Sequence, residues 1–109
     1  MITCFCGQQF SPNGSQLGVG TEVGQIDILD RGKKWQSSKI WQAHQNAIYD
    51  IKWMNGGEKI VSVAGDNNLC VWDVGLHKCL ATARPPKVKT LLVVHIFENW
   101  SPTIINIAL

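Results

Sequence analysis

The sequence has few of the features that mark membrane, secreted or nucleic-acid-binding proteins. Only 17% of its 109 residues are charged, and a net charge of +2 is too small to favour nucleic acid or an anionic membrane as a direct partner. No apolar run approaches the roughly 18 residues that a membrane helix needs. No basic segment followed by an apolar core marks a signal peptide. We therefore expect a protein of the cytoplasm or the nucleus.

The four cysteines form no metal-binding or redox motif. Cys4 and Cys6 are two residues apart, and no Cys-x-x-Cys pair occurs in the chain. A zinc site would need further converging ligands, and nothing in the sequence points to them. We expect free, buried thiols in a reducing compartment, and neither a metal ion nor another cofactor.

Motifs that carry catalysis are also missing. The sequence has no glycine-rich phosphate loop, no nucleophile elbow and no His-Glu-x-x-His zinc motif. Asp50 and Asp66 do not form a plausible acid–base pair, because hydrogen bonding within a buried network already accounts for Asp66. His95 lies in an apolar run, which is more typical of a core or edge position than of a catalyst. We therefore expect no enzyme activity and assign no catalytic residue.

The sequence does contain a succession of short strand candidates separated by turns. Clusters of Gly, Asn and Asp at 54–57 and 65–68 divide segments rich in β-branched and aromatic residues. Short strands divided in this way are typical of an antiparallel meander and not of helices. The strand candidates of this unit are residues 48–53, 59–64, 69–72 and 78–82.

Four polar side chains within this stretch need partners if they are buried. They are His44, Ser62, Asp66 and Trp72. Histidine and serine both donate and accept, aspartate accepts, and the indole N–H donates, so the four can satisfy one another. A buried polar network is tolerated only when every member is satisfied, which makes a closed set of bonds the expected arrangement.

This arrangement resembles the structural tetrad of WD repeats, in which a His, a Ser or Thr, an Asp and the Trp of a Trp-Asp pair are hydrogen-bonded. The usual Gly-His pair is Ala43-His44 here. The resemblance implies an all-β fold of about two blades of a WD-repeat β-propeller, each an antiparallel four-stranded sheet, in an incomplete ring. We expect the chain to be a fragment of a longer protein.

A degenerate copy of the same unit precedes the clear one. At an offset of 43 residues Phe10 falls on Trp53, and this period lies within the roughly 40–45 residues of a propeller blade. Val19, Val23 and Leu29 take the places of the tetrad Ser, Asp and Trp.

The offset divides the chain into three parts. We predict a partial repeat and linker over residues 1–38, a well-formed repeat over 39–84, and a divergent tail over 85–109 with one strand at 91–97. Within the first part, we predict a loop over 31–38.

Residues 43–53 are similar to one branch of the WD-repeat family, the denticleless-type proteins. In these an Ala-His-x-Asn-Ala stretch, followed by Ile or Val, an aromatic residue and Asp, precedes an Ala-Gly-Asp turn and a Trp-Asp-Val. Both later motifs stand here, at 64–66 and 72–74. The resemblance implies a substrate receptor of a cullin–RING ubiquitin ligase that acts in replication and cell-cycle control. Another WD-repeat scaffold without a ubiquitin role remains the alternative.

The resemblance implies a location in the nucleus, with the cytoplasm as the alternative. If the full propeller exists, the implied partners are proteins, namely the ligase adaptor and substrates recognised through the sliding clamp. Family members contact the adaptor through Trp-Asp-x-Arg, but Gly75 stands in place of that arginine, so adaptor binding by this blade is not expected. Partner surfaces on propellers lie on loops before the first strand and between the second and third. The contact candidates on those loops are Gln45, Asn46, Tyr49, Gly65 and Asn67. Ordinary solvated loop residues are the alternative interpretation of these five.

Overall fold

A computed structural model of the chain describes residues 5–84, which fold into two antiparallel four-stranded sheets. The first sheet consists of β1 (Phe5–Phe10), β2 (Gln16–Thr21), β3 (Gln25–Asp30) and β4 (Gln36–Gln42). The second consists of β5 (Ile48–Met54), β6 (Lys59–Ala64), β7 (Leu69–Asp73) and β8 (Lys78–Ala83). Single 3-10 turns occur at Arg31–Lys33 and Asn55–Gly57. The predicted all-β class with four-stranded antiparallel sheets is confirmed, and the predicted strand at 91–97 lies outside the described residues.

The two sheets repeat the same strand register. Phe10 pairs with Leu17 in the first sheet as Trp53 pairs with Ile60 in the second. Each sheet also has a register shift between its third and fourth strands at the equivalent point, after Ile28 in one and after Val71 in the other. The offset of 43 residues therefore holds through the first three strands of each sheet.

The predicted loop over 31–38 is wrong for its last three residues. Strand β4 already begins at Gln36, which pairs with Asp30. The loop before it is tight, because Lys34 and Trp35 both adopt left-handed conformations with φ of 56° and 61°. An exposed outer strand tolerates polar side chains on both faces, so its sequence lacks the apolar alternation that identifies a half-buried strand.

The sheets pack face to face, with β1 and β2 of the first sheet against β5 of the second. The core between them comprises Ile26, Ile28, Ile48, Ile51, Trp53, Ile60, Ala64, Cys70, Trp72 and Val74. The sheets approach closely at glycines of β1 and β2, and a Cβ atom on Gly7 of β1 would lie 2.9 Å from Cα of Asp50. A Cβ atom on Gly20 would lie 2.5 Å from Cγ2 of Ile48, and one on Gly18 would lie 3.0 Å from Cδ1 of Ile51. The isoleucines of β5 thus pack directly on the backbone of β2.

Polar contacts join the two sheets along the innermost strands. The indole Nε1–H of Trp53 donates to the carbonyl oxygen of Gln9 at 2.8 Å, and the backbone N–H of Trp53 donates to Gln9 Oε1 at 2.9 Å. The Trp53 side chain is buried, and its single N–H donor is satisfied across the interface. This double contact fixes the position of β5 along β1.

An aromatic stack joins the outer strands. The rings of Trp41 in β4 and His77 in the β7–β8 turn are parallel within 8°, with centroids 5.2 Å apart. Trp41 also lies against Trp72, with ring centroids 5.8 Å apart. The stack therefore closes the outer side of the core, between residues of both sheets.

The cysteines differ in their environments. Cys70 is a free thiol in the core, and burial raises its pKa to about 11. Cys79 is also free, but it is exposed on the outer strand β8, so the prediction of buried thiols is wrong for this residue. The outer strand faces solvent, where a small polar or weakly apolar residue costs little. Within residues 5–84 no group of His, Cys, Asp and Glu could hold a metal ion, and no helix there could cross a membrane.

We predict that Gly20→Ala lowers the free energy of unfolding by about 1–3 kcal/mol, since the added methyl group overlaps the buried Ile48 side chain. Gly75→Ala is the matched control, because a Cβ there meets its nearest atom, Asp73 Oδ1, at an ordinary 3.4 Å. Its effect should stay within about 0.5 kcal/mol. Urea unfolding followed by tryptophan fluorescence measures both, and equal effects would contradict the close packing at Gly20.

Candidate functional site

The four tetrad residues, His44, Ser62, Asp66 and Trp72, lie together in the structure as a chain of hydrogen bonds. Trp72 Nε1–H donates to Ser62 Oγ at 2.9 Å. Ser62 Oγ lies 2.6 Å from His44 Nε2, and His44 Nδ1 lies 3.1 Å from Asp66 Oδ2. Since ionised aspartate only accepts, the imidazole proton belongs on Nδ1, and Ser62 then donates to Nε2.

Each member of the tetrad comes from a different local element. Ser62 lies on β6 and Trp72 on β7, both facing the core, while His44 lies in the β4–β5 loop and Asp66 in the β6–β7 turn. Asp66 holds its turn and the neighbouring loop together. Its Oδ2 accepts the backbone N–H of Gln45 at 2.9 Å, and its Oδ1 accepts that of Asn68 at 3.0 Å.

Burial dominates the electrostatics of the pair formed by His44 and Asp66. Burial lowers the pKa of His44 below 6.5, and the charge and hydrogen bond of Asp66, which favour the protonated form, offset only part of this effect. Burial alone would raise the pKa of Asp66. The backbone N–H groups of Gln45 and Asn68, together with His44, outweigh burial and bring that pKa below 3.8. The pair is therefore a neutral imidazole next to a carboxylate at neutral pH.

The polar atoms of His44 and Ser62 are buried and already have partners within the tetrad. His44 is 2% exposed and Ser62 is fully buried, and both ring nitrogens of the histidine already have partners. The Ser62 hydroxyl donates to one member and accepts from another. Nucleophilic or general-base chemistry would require one of these groups to face an open site.

The tetrad also connects to the first sheet. The backbone N–H groups of Ala43 and His44 both donate to the carbonyl oxygen of Gly24 at 2.9 Å. Gly24 has φ of 86°, and a Cβ there would collide with the His44 carbonyl group. Glycine is thus required at this turn for both reasons.

The first sheet has no tetrad of its own. Val19 is buried within the sheet, Leu29 is half-buried, and Val23 is exposed in the β2–β3 turn. An apolar side chain on a turn cannot accept the backbone N–H groups that Asp66 accepts in the second sheet. The Thr21 hydroxyl accepts the N–H of Gln25 at 3.1 Å instead, across the same turn.

The five predicted contact residues lie at the end of the second sheet where the tetrad begins. Tyr49 is 44% exposed, and Gly65 lies directly beneath it: a Cβ on Gly65 would be 2.9 Å from the tyrosine hydroxyl oxygen and 3.1 Å from Cγ of Asn46. Gln45 is exposed in the β4–β5 loop, and Asn67 adopts a left-handed conformation with φ of 67° in the β6–β7 turn. Asn46, Tyr49 and Gly65 thus lie against one another, while Gln45 and Asn67 lie in the loop and the turn that Asp66 joins; we call these five residues the Tyr49 surface.

A groove of about 490 Å³ lies near the other end of the sheets. Its lining residues are Gln16, Lys39, Gly57, Glu58, Asp73, Val74 and Gly75. The Lys39 ammonium group already donates to the Val74 carbonyl oxygen at 3.3 Å. None of these lining residues is a histidine or a cysteine, and Asp73 of the groove directly follows the tetrad residue Trp72 on β7.

Two contacts next to the site were missed in the sequence. Gln9 accepts both Trp53 donors, and Trp41 stacks on His77. Each pair joins one residue of the first copy to one residue of the second, so aligning the two copies with each other gives no signal for the contact. Trp53 itself is a weak signal, because the large apolar ring and single donor of a tryptophan predict burial with one polar partner.

Comparison with known proteins identifies the family to which the repeat belongs. Residues 35–73 match the family described as WD domain, G-beta repeat. The chain is 42% identical over 67 residues, or 59% of its length, to the Denticleless protein homolog of Danio rerio. It is 37% identical over 76 residues, or 67% of its length, to the Retinoblastoma-binding protein 5 homolog of Drosophila melanogaster. It is 33% identical over 76 residues, or 68% of its length, to WD repeat-containing protein 1 of Gallus gallus.

The match covers a small part of each relative. The aligned region is 10% of the Danio rerio protein, 14% of the Drosophila melanogaster protein and 12% of the Gallus gallus protein. The matched repeat also spans both sheets, because it begins one residue before β4 and ends on the last residue of β7.

We predict that Ser62→Ala lowers the free energy of unfolding by about 2–4 kcal/mol, because it leaves the buried Trp72 donor and the His44 Nε2 acceptor without partners. Ser37→Ala is the matched control. Its hydroxyl donates to Asp27 on the exposed face of the first sheet, so its removal should cost less than about 0.5 kcal/mol. Urea unfolding measures both variants, and similar costs would mean that the tetrad contributes no more than a surface hydrogen bond.

We predict that the chain becomes less stable as the pH falls below 6.5, the ordinary pKa of histidine. In this range the unfolded chain binds a proton at His44 that the folded chain, with its lowered pKa, does not bind. Stability therefore rises with pH, by at most about 1.4 kcal/mol per unit from this group. Asp66, whose pKa is also lowered, adds a further loss below 3.8.

Urea midpoints measured between pH 7.5 and 5 test this dependence. His44→Gln keeps a hydrogen-bonding side chain that does not titrate, so its midpoint should vary less with pH than that of the native chain. The same dependence in both proteins would show that His44 is not the group responsible.

Proposed function

We propose that this chain, a WD-repeat protein-interaction scaffold, is part of a substrate receptor of a cullin–RING ubiquitin ligase. The WD repeat over residues 35–73 carries the general role. The more specific role rests on the similarity to Denticleless protein homologs, at 42% identity for Danio rerio and 37% for Gallus gallus. In this proposal the chain acts in the nucleus, in the control of replication and the cell cycle.

The proposed contact region is the Tyr49 surface. The tyrosine side chain is large and 44% exposed, and it lies above Gly65. A larger residue at position 65 would displace the tyrosine hydroxyl group. Tyrosine is enriched at protein interfaces because one side chain supplies both an apolar ring and a hydrogen-bonding group at a low entropic cost. The neighbouring Gln45 and Asn46 add amide groups, and the rigid sheet beneath keeps the surface preformed.

We assign the tetrad a structural role within this scaffold. It ties the loop that bears Gln45 and Asn46 to the turn that bears Gly65 and Asn67, through the bonds from Asp66 to both. A surface formed by two loops keeps one shape only if the loops are held relative to each other. WD-repeat proteins are generally non-catalytic scaffolds, and the burial of His44 and Ser62 fits that role.

The domain boundaries remain part of the proposal. The boundary proposed between residues 38 and 39 separates two sequence repeats, and it falls inside β4. The first sheet ends at Gln42 and the second begins at Ile48. The proposed tail over 85–109 lies outside the described residues.

The partner in this proposal is a protein substrate and not the ligase adaptor. In the family the adaptor is contacted through Trp-Asp-x-Arg, and here Trp72 and Asp73 are followed by Val74 and Gly75. The chain spans only about a tenth of the Denticleless relatives it matches. Adaptor binding therefore belongs to parts of a longer receptor in this proposal.

A WD-repeat scaffold without a ubiquitin role is the second candidate function. It is favoured by the match to WD repeat-containing protein 1 of Gallus gallus, which covers 68% of this chain. That match is longer than the Denticleless one, 76 against 67 residues, although the identity is lower.

Binding of the purified chain to the sliding clamp loaded with a replication-licensing substrate distinguishes the two. We predict measurable binding by the native chain and at least a roughly tenfold loss in Tyr49→Ala, the size typical of a central aromatic contact. Phe10→Ala is the matched control, because Phe10 is another exposed aromatic residue, 57% accessible, on the first sheet. Surface plasmon resonance measures all three proteins.

Two outcomes would reject the receptor role for this surface. Absence of binding by the folded native chain would favour the scaffold without a ubiquitin role. An equal loss in Tyr49→Ala and Phe10→Ala would place the contact elsewhere or indicate non-specific adhesion.

A further inference from the structure

The two cysteines of the second sheet lie on neighbouring strands, next to the same hydroxyl group. Cys70 is on β7 and Cys79 is on β8. The Sγ atom of Cys79 lies 3.3 Å from Thr82 Oγ1, and the Sγ atom of Cys70 lies 3.9 Å from the same oxygen. Thr82 pairs directly with Cys70 across the two strands. Both sulfur atoms therefore lie beside one oxygen atom, on one face of the sheet.

A bulge in β8 lies next to the outer cysteine. Trp72 pairs with Cys79, but Val71 pairs with Ala81, so Leu80 is an extra residue in the outer strand. An extra residue bends its strand and changes the direction of the neighbouring side chains. The approach of the outer cysteine to the inner one therefore depends on this bulge and not on a direct pairing of the two residues.

The first sheet shows what the same bulge does to the side chains at these two positions. Its outer strand, β4, has a register shift at the equivalent point. Counted from that shift, Asp27 corresponds to Cys70, and Ser37 corresponds to Cys79. The Ser37 hydroxyl donates to Asp27 Oδ1 at 2.5 Å. In the first sheet, side chains at this pair of positions are thus in direct contact.

The two thiols differ in their access to solvent. Cys70 is 6% exposed, and burial raises its pKa to about 11. The neighbouring Cys79 thiol adds to this increase in the pKa, and a hydrogen bond with Thr82 opposes it. Cys79 is exposed. A dissolved oxidant therefore reaches Cys79 first, and Cys70 reacts with a group that is already bound at Cys79.

We propose that Cys70 and Cys79 form an oxidation site, at which a small-molecule disulfide of the class of oxidised glutathione produces a reversible disulfide between β7 and β8. The Cys79 thiolate attacks one sulfur of the oxidant, whose S–S bond breaks and releases one thiolate. The Cys70 thiolate then attacks the Cys79 sulfur, forms the internal S–S bond and releases the second thiolate. The two released thiolates take up the protons that the cysteines lose, and two electrons pass from the cysteines to the oxidant.

The disulfide fastens the outer strand to its neighbour. Among the described strands of the second sheet, β8 is at the outer edge and pairs only with β7. An edge strand opens more readily than a strand that is paired on both sides. The disulfide closes the hairpin from Cys70 to Cys79, which constrains the unfolded chain more than the folded one and makes the oxidised form the more stable. The attachment of β8 thus depends on the redox state of the surroundings.

Equilibration of the full 109-residue chain with mixtures of reduced and oxidised glutathione tests the proposal. The substitutions Cys4→Ser and Cys6→Ser leave only the two cysteines of the site. Trypsin cleaves after Lys78, between these cysteines, so the internal disulfide holds two peptides together until it is reduced. Mass spectrometry measures the linked fraction after acid quenching. We predict that the equilibrium constant for the internal disulfide is at least roughly tenfold larger in the folded chain than in concentrated urea.

The matched control moves one thiol to the opposite face of β7. The double substitution Cys70→Ser and Val71→Cys replaces a side chain that is 6% exposed, like Cys70, but that belongs to the apolar cluster on the other face. The equilibrium constant should then fall at least roughly tenfold, because the new thiol points away from Cys79. Cys70→Ser alone should leave Cys79 as a mixed disulfide with glutathione. Far-UV circular dichroism verifies that the sheets persist in each variant.

Three results would overturn the proposal. An equilibrium constant no larger without urea than with it would mean that the sheet does not hold the two sulfur atoms together. Equal constants for the original pair and for the variant with Val71→Cys would show that the link does not depend on the face of β7. Mixed disulfides with glutathione, or links between chains, without the internal disulfide would leave Cys79 as an isolated exposed thiol.

Discussion

The placement of the two sheets depends on one residue, His44, whose backbone is hydrogen-bonded to the first sheet and whose side chain is hydrogen-bonded within the second. Its N–H donates to Gly24 in the first sheet, while its ring lies between Ser62 and Asp66 in the second. A loop held at only one of these ends would leave the other polar groups buried and unpaired, at a cost of about 1–3 kcal/mol each. Because His44 is paired at both ends, the hydrogen bonds of the tetrad in the second sheet depend on where the first sheet lies.

The match of the family repeat to residues 35–73 follows from the same arrangement. The repeat includes β4 of the first sheet and the first three strands of the second, so its boundaries do not coincide with those of a sheet. The matched segment contains all four residues of the tetrad, His44, Ser62, Asp66 and Trp72, together with the loop and the turn that carry His44 and Asp66. The unit that is recognised in sequence is therefore the set of residues that joins neighbouring sheets.

Much of this fold could be predicted from sequence, because the strands of the second sheet are short, rich in β-branched and aromatic residues, and separated by Gly and Asn turns. The tetrad could be predicted as well, since four polar residues in an apolar stretch have few ways to be satisfied. Strand β4 escaped prediction at its first three residues because an exposed edge needs no apolar pattern. The contact of Gln9 with Trp53 escaped it because contacts across sheets depend on how the sheets are placed, which strand patterns do not encode.

The interface between the sheets is asymmetric, and this asymmetry gives the stack a direction. The first sheet offers glycine backbone at Gly18 and Gly20, and the second offers the large side chains of β5. At the equivalent positions of the second sheet, 43 residues later, stand Val61 and Val63, so β5 would not fit there as it fits the first sheet. Exchanging the sheets would put isoleucine and tryptophan against Val61 and Val63, which a close-packed core does not tolerate without backbone shifts. Each face is therefore specific for one neighbour, and the order of the sheets is encoded in the sizes of a few side chains.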